Sequence, residues 1–493
     1  MDRRKYVSLA LLASLLLFAL AIPFGNAVIN DANSQGLFKY HATPEVVDFN
    51  RYGGTGFLYN TVVELRNAYD LNPLYAAGFD GTGQTVVIVD AFGSPTIYQD
   101  LLSFIVDYQN TPTYFSANLP WTTMAQVQSH VKIYYPQGQP VFDPTSSDEL
   151  GWSQETTLDV CMVHAIAPGA NIALVIAPSD YDLPLTQAVQ YALVHHLGSV
   201  ISQSWGDPEW DIAAGGKVAI KEMMQAHATY ILAALMGVTV FASSGDDGAS
   251  NLAQYYLAQP YNSPLYPSSD PFVVAVGGTN LFMTRADGYQ EGTGNWTNRN
   301  TGLGRTAPGV TYNYEIAGND YEGMAADGYP APYDAVTTGG AMSQFFSLPF
   351  WQYGITMTNA DGTSFRPTMR CASDVSFDSG VYGGIGPIPW SVLGTGAAYI
   401  FGGTSCGSPF WAALTAIANQ KVGHNVGFIS PILYLDKTTL YSKGAFHDIT
   451  MGDNTYPTGS TMLGYEATKG WDAPTGIGSP DATNLILQLK GFC

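Results

Sequence analysis

The stretch 402-GGTSCGSPFWAAL-414 places Ser405 after a Gly-Gly-Thr turn and just before an apolar helical pattern opened by Pro409. That is a setting for a nucleophile, and equally for an ordinary turn serine. A nucleophilic hydroxyl needs a group to take its proton, and none of the eight histidines stands in a context suited to that role. In 153-SQETTLDVCMVHAIAPGANI-172, Glu155 and Asp159 are four residues apart. On a helix, that spacing stacks two carboxyl groups on one face, about 6 Å apart along the axis. Two neighbouring carboxyls do not ionise independently, so the pair holds one proton over a wide range and its monoanion can act as a base in acid. The same spacing also describes a solvated acidic helix face.

Two further groups carry candidate chemistry. In 238-VTVFASSGDDGAS-250, an apolar run ends in Ser-Ser-Gly-Asp, which puts Asp246 at the carboxyl end of a strand. A protonated aspartic acid there could donate a hydrogen bond to a developing oxyanion, whereas a turn or helix-capping aspartate would fit the same residues. In 446-FHDITMGDN-454 and 467-ATKGWDAPTGIGSP-480, Asp448 and Asp472 offer carboxylates among glycines that let carbonyls converge, a hard-oxygen set suited to Ca²⁺. His164 follows Asp159 by five residues, away from its face, and reads as a core histidine.

The elements that must position these groups are legible as an alternation. The runs 84-QTVVIVDA-91, 171-NIALVIA-177, 199-SVISQS-204, 238-VTVFASS-244 and 272-FVVAVGGT-279 are continuously apolar and read as buried strands. Helical patterns fall at about 153–165, 185–197, 215–236 and 408–421. Such units predict an α/β fold with a mainly parallel sheet covered on both faces, and active sites of such sheets gather at the strands' carboxyl ends. Residues 285–340, rich in Gly, Asn, Thr and Tyr, read as long surface loops. The Gly-Thr-Gly of residues 81–83 precedes its strand, which excludes a dinucleotide fingerprint.

Composition narrows the setting. Charged residues make up 12% of the chain, against about 25% in typical soluble domains. Forty acidic residues against 19 basic ones give a net charge of −21, which argues against nucleic acid as a partner. In strong acid, Lys, Arg and His together could supply a charge of only about +27, so self-repulsion stays modest and acid unfolding is weakly driven. Residues 1–27 have a basic start, an apolar run and a small-residue exit, which reads as a secretory signal peptide, or as a membrane anchor if it is retained. Asn295-Trp-Thr is a formal glycosylation sequon. The four cysteines Cys161, Cys371, Cys406 and Cys493 allow three pairings and select none, and Cys406 reads as a small packing residue.

Taken in order, these segments resemble the sedolisin family of serine-carboxyl peptidases. The resemblance rests on Glu155-x-x-x-Asp159, Ser204-Trp205-Gly206, Ser244-Gly245-Asp246, 266-YPSSDPFVVAVGGT-279, 374-DVSF-377, Gly403-Thr404-Ser405 with Pro409, Asp448-Ile449 and Gly470-Trp471-Asp472. It covers roughly residue 60 to the C-terminus and implies a subtilisin-like α/β fold. It implies Ser405 as nucleophile, Glu155 as general base, Asp159 as its partner, and Asp246 with the Ser405 N–H in an oxyanion hole. It also implies one calcium ion held by Asp448, Asp472 and the carbonyls of Ile449, Thr468 and Gly470. Trp205 would flank the site or pack in the core, and Asp90 would extend the carboxyl network or serve structure.

The sequence departs from the family pattern in three places. The family carries a large N-terminal propeptide, whereas here only about thirty residues separate the signal-like segment from the first core motif. The expected division is 1–27 signal or anchor, 28–55 a short N-terminal segment, and 56–493 the peptidase-like domain. Gly407 and Ser408 stand where the family has Ser and Ala, and Thr468 where the calcium loop has Gly. The expectation is therefore an exported, acid-active endopeptidase acting on proteins or peptides. It would be a monomer that meets a membrane only through a retained signal segment. A tripeptidyl-type exopeptidase and a catalytically idle binding relative are the alternatives.

Overall fold

The computed structural model describes residues 39–41, 46–48, 59–110, 119–251, 261–284, 311–322, 336–380, 384–394, 397–456 and 464–489. The signal-like segment, Asn295 and Cys493 lie outside them. Strands important for the site are β1 (Val46–Asp48), β2 (Thr85–Ala91), β3 (Val131–Tyr134), β4 (Asn171–Ala177), β5 (Val200–Gln203), β6 (Thr239–Ser243), β7 (Val274–Thr284), β8 (Thr311–Ala317), β9 (Val375–Asp378), β10 (Gly384–Trp390) and β11 (Ala397–Phe401). The principal helices are α1 (Ser147–Ile166), α2 (Asp182–Val194), α3 (Gly216–Leu235) and α4 (Gly407–Val422).

The main sheet runs β8-β7-β6-β5-β2-β4-β3, with β9 also paired to β7. Every pairing in it is parallel except β7 with β8. The apolar runs form these strands because both faces are covered: Val86, Val87, Ile88 and Val89 of β2 are fully buried. Each such side chain contributes about 1.5–3 kcal/mol of transfer free energy. A second sheet places β1 and β10 on either side of β11.

One expectation is corrected. Residues 285–340 do not form loops alone: Thr311–Ala317 is β8, paired antiparallel along Thr279–Thr284, and residues 336–340 are buried. The polar composition concealed this strand because Glu315 is buried by bonding rather than by hydrophobicity. Its carboxylate accepts from Thr279, Tyr69 and Ser479.

The helix α1 has no apolar stripe because it is buried all round, with nearly every residue from Gly151 to Ile166 out of solvent. Its N-terminus is capped by the Ser146 hydroxyl, which accepts from the Glu149 N–H. Thr156 and Thr157 return their hydroxyl protons to the carbonyls of Trp152 and Ser153, which satisfies them without water. His164, near the end of α1, stacks on Trp121 with ring centroids 4.2 Å apart, as a core residue would. Cys161, Cys371 and Cys406 are buried free thiols. Among the described residues, no helix is long and apolar enough to cross a membrane.

Candidate active site

Ser405 lies in the helical turn Thr404–Cys406 between β11 and α4. The turn is sharp because Gly403 takes φ +92°, a left-handed conformation that side chains resist, and a Cβ there would meet Asp246 Oδ2 at 2.6 Å. The first N–H groups of such a turn have no intrahelical acceptor, and the Ser405 N–H is one of them. Gly407 has a physical reason as well: a Cβ would come within 2.6 Å of Val276 on β7. Ser408 makes a buried contact with Ser202 Oγ at 2.9 Å and accepts from the Gln203 N–H. Both departures after the serine are therefore packing solutions against the sheet.

The structure brings Ser405, Glu155 and Asp159 together. The Ser405 hydroxyl donates to Glu155 Oε2 at 3.1 Å. Both carboxyls are 0% exposed, which rules out the solvated acidic face. Burial pushes Glu155 well above the ordinary carboxyl range, and the charges of Asp159 and Asp90 push it further. The bond from Ser405 opposes that rise. Asp159 is also raised, first by burial and then by Asp90, against a bond from Ser204. Glu155 Oε1 and Asp159 Oδ2 are buried with no hydrogen-bond donor among the described residues. A shared carboxyl proton is the group that would satisfy both.

Asp90, at the carboxyl end of β2, joins this network electrostatically and is pushed up to about 7 by burial. Three carboxyls thus meet in a dry interior. Such a cluster is stable only while protons neutralise most of it. Ser204 is the residue that sequence reasoning did not assign. Its hydroxyl lies 2.8 Å from Asp159 Oδ1 and 3.2 Å from the Ser405 carbonyl, so it ties the second carboxyl to the backbone of Ser405. Its sequence signals are its place at the end of a buried strand and in the Ser204-Trp205-Gly206 motif, neither of which gives it a role. Trp205 packs in the core: it is 1% exposed, and its indole N–H donates to the Val89 carbonyl at 2.6 Å.

Asp246 follows β6 and sits against the Thr404–Cys406 turn. Its Oδ1 accepts the Thr404 N–H at 2.6 Å, while the Thr404 hydroxyl accepts the Gly245 N–H at 3.0 Å. Burial raises Asp246, and its bonds with Thr404 oppose the rise. A carboxyl kept protonated next to Ser405 is a hydrogen-bond donor, which a carboxylate is not.

The other predicted group is remote from this cluster in sequence but coherent in itself. Asp448 Oδ1 accepts the Gly470 N–H at 2.8 Å, and Asp472 accepts from the N–H groups of Thr468 and Thr475. Asp472 is raised well above its usual range by burial, with Asp448 adding to the rise, so the two carboxyls face a common region. No described residue donates a hydrogen bond to the carbonyls of Ile449, Thr468 or Gly470. Two carboxylates and three undonated carbonyls fit a hard divalent cation. Among the described residues, no cluster of three or more His, Cys, Asp or Glu side chains forms a metal site, so such an ion would depend on backbone oxygen.

A subtilisin-like α/β sheet with a serine set against carboxyls, where a histidine base would otherwise stand, defines a narrow class. No family model matches the chain. Kumamolisin of Bacillus sp. (strain MN-32) is 30% identical over 435 residues, covering 87% of this chain and 63% of its own length. Sedolisin of Pseudomonas sp. (strain 101) is 30% identical over 350 residues, covering 70% of this chain and 50% of its own. The structure of Pseudomonas sedolisin, a serine-carboxyl proteinase complexed with two molecules of pseudo-iodotyrostatin, superposes with a TM-score of 0.64 at 25% identity. It covers 88% of this chain and 99% of that one. Tripeptidyl-peptidase sed4 of Aspergillus fumigatus is 28% identical over 341 residues, which is 64% of this chain and 48% of its own. The chain therefore spans 48% to 63% of the length of these curated relatives. It belongs to the sedolisin family.

Proposed function

We propose that the protein is an acid-active serine-carboxyl endopeptidase, exported from the cell and acting on proteins or peptides. The observation that carries this reading is the Ser405 hydroxyl donating to a fully buried glutamate whose neighbour is a second buried carboxyl. Ser405 Oγ attacks the peptide carbonyl as Glu155 takes its proton. The acyl-enzyme forms when that proton passes to the leaving amine, and water activated by the same carboxylate resolves the ester. Protonated Asp246 and the Ser405 N–H donate to the oxyanion. In acid an imidazole base would be protonated and idle, whereas a carboxyl pair sharing one proton still has an anion to offer.

Relatives with tripeptidyl-peptidase names make an exopeptidase the competing reading. Digestion of an unstructured protein with blocked N-termini at about pH 4 separates the two. Internal fragments of varied length, identified by mass spectrometry, are expected. Release of tripeptides alone, and only from free N-termini, would replace the endopeptidase reading.

Calcium held by Asp448, Asp472 and the carbonyls of Ile449, Thr468 and Gly470 would neutralise the two carboxylates and tie together the loops at 448–449 and 468–472. Its contribution would be structural. Chelation should lower the melting temperature by about 3–6 °C, reversibly on adding Ca²⁺. Asp472→Asn should melt low whether or not Ca²⁺ is present. An unchanged melting temperature on chelation would remove the ion from the account.

A further inference from the structure

Two buried histidines of this chain differ in their partners. His227 of α3 is held by Asp270, with Nδ1 2.7 Å from Oδ2. His164 of α1 is fully buried, and neither of its ring nitrogens has a hydrogen-bond partner among the described residues. A neutral imidazole leaves one donor and one acceptor unmet in that position. An imidazolium would leave two donors and a charge, which costs far more in a dry interior.

The surroundings of His164 offer nothing to offset that charge. It sits in the last turn of α1, where free carbonyls would favour a cation, but the neighbouring ones are taken. The Arg66 guanidinium, on the helix Val62–Ala68, donates to the Ala165 carbonyl at 2.8 Å, and the Tyr75 hydroxyl donates to that of Ile166 at 2.6 Å. Arg66 therefore brings a fixed positive charge to the residue next to His164. His130, at the end of the helix Met124–His130, faces it as well, with Nδ1 2.8 Å from Asn171 Oδ1. The buried carboxyls on the packed helices Val62–Ala68 and Ile97–Asn110 are engaged elsewhere. Glu64 accepts from the Thr61 N–H and hydroxyl, and Asp100 accepts from Thr96. Burial accordingly pushes His164 down to about 3, and Arg66 and His130 push the same way against the Pro120 carbonyl. Burial pushes His227 down too, but Asp270 outweighs it and the net shift is upward.

What His164 supports is a strained residue. Trp121 stacks on it with ring centroids 4.2 Å apart, and on His130 at 4.6 Å. Trp121 takes φ +72°, a left-handed conformation that a bulky side chain keeps only when its surroundings hold it there. The indole face would attract an imidazolium, but by less than the cost of burying one with its N–H groups unmet. A proton on His164 therefore works against the contact that seats Trp121 on α1, the helix that carries Glu155 and Asp159.

We propose that His164 is an acid-release switch: its imidazole must stay neutral for Trp121 to pack on α1, and proton uptake there sets the lower pH limit of the fold. Charge repulsion is a weak competitor for that role, because Lys, Arg and His bring at most about +27 to 493 residues. The limit belongs to the fold and holds with or without peptidase activity. Its sign follows from proton linkage. The unfolded chain binds a proton at this histidine below about pH 6.5, whereas the folded chain does so only near 3. The stability at stake is whole above about pH 6.5 and is lost as pH falls from there toward 3.

The test uses the full chain carrying Ser405→Ala, so that self-digestion does not intervene, and adds His164→Leu and His164→Phe separately. Urea unfolding is followed from about pH 7.5 to pH 4. A packing defect in either variant is the same at every pH, so the ratio of unfolding constants, with His164 over without it, isolates the proton. It should rise about tenfold per pH unit below about pH 6, and at least about a hundredfold in all. A ratio flat to within about threefold would overturn the proposal. If neither variant folds, nuclear magnetic resonance of histidine-labelled chain carrying His130→Gln decides, since His164 is then the histidine left against Trp121. A neutral imidazole in contact with that indole at about pH 4.5 would uphold the switch, and a charged one would overturn it.

Discussion

Ser405→Ala should fold and melt like the parent yet hydrolyse peptide bonds about four to six orders of magnitude more slowly. The hydroxyl is the one atom lost, and its hydrogen bond goes to Glu155, a carboxyl that can keep its proton once the donor is gone. Loss of one such bond shifts stability by only about 0.5–1.5 kcal/mol, so unfolding cannot mimic the result. The loss in rate is large because attack by the serine, acylation and deacylation all run through this oxygen. The measurement is single-turnover hydrolysis of a peptide alongside the melting temperature, for parent and variant in the same chain. Activity above about one per cent of the parent would mean that the carboxyl cluster activates water directly, as a pair of aspartates can.

The second large effect is expected for Glu155→Gln, a loss of about two to four orders of magnitude in kcat. Glutamine keeps the volume, and its amide oxygen can still accept from Ser405, so the nucleophile stays in place. What it cannot do is take the proton. The substitution also removes a carboxyl whose neighbours Asp159 and Asp90 disfavour its ionisation, so the fold should be no less stable. That combination separates the base from a structural role: kcat falls, while KM and melting temperature stay close to the parent.

These expectations depend on features that differ in how far the sequence disclosed them. The parallel strands were legible because runs such as TVVIVDA are apolar at every position, as burial on both faces demands. The Glu155–Asp159 spacing showed that the two carboxyls share a helix face. It could not show that the face is dry, because α1 is buried by its neighbours and has no apolar stripe to announce it. The ordered family motifs, rather than periodicity, carry the sequence signal that separates a buried pair from a solvated face.

Other features are tertiary and left little trace. Ser204 matters because two chain segments converge on its hydroxyl. Gly407 looks like a poor helix start until Val276 is seen against it. The β8 strand was hidden by polar residues whose partners lie far away in the chain.

The central claim is that a shared-proton carboxyl pair serves as the base. The most direct measurement is the pH dependence of kcat/KM from about pH 2 to 8, for the parent and Glu155→Gln side by side. The Glu155–Asp159 pair must lose one proton before it can accept another, which sets the acid limb. Burial raises Glu155, Asp159 and Asp246 alike, so the proton that Asp246 must keep is lost only as pH climbs above the ordinary carboxyl range, which sets the other limb. The account predicts a bell confined to acid in the parent, and no pH at which Glu155→Gln recovers. A rate that rises through neutrality, or a variant within about tenfold of the parent across the range, would contradict it.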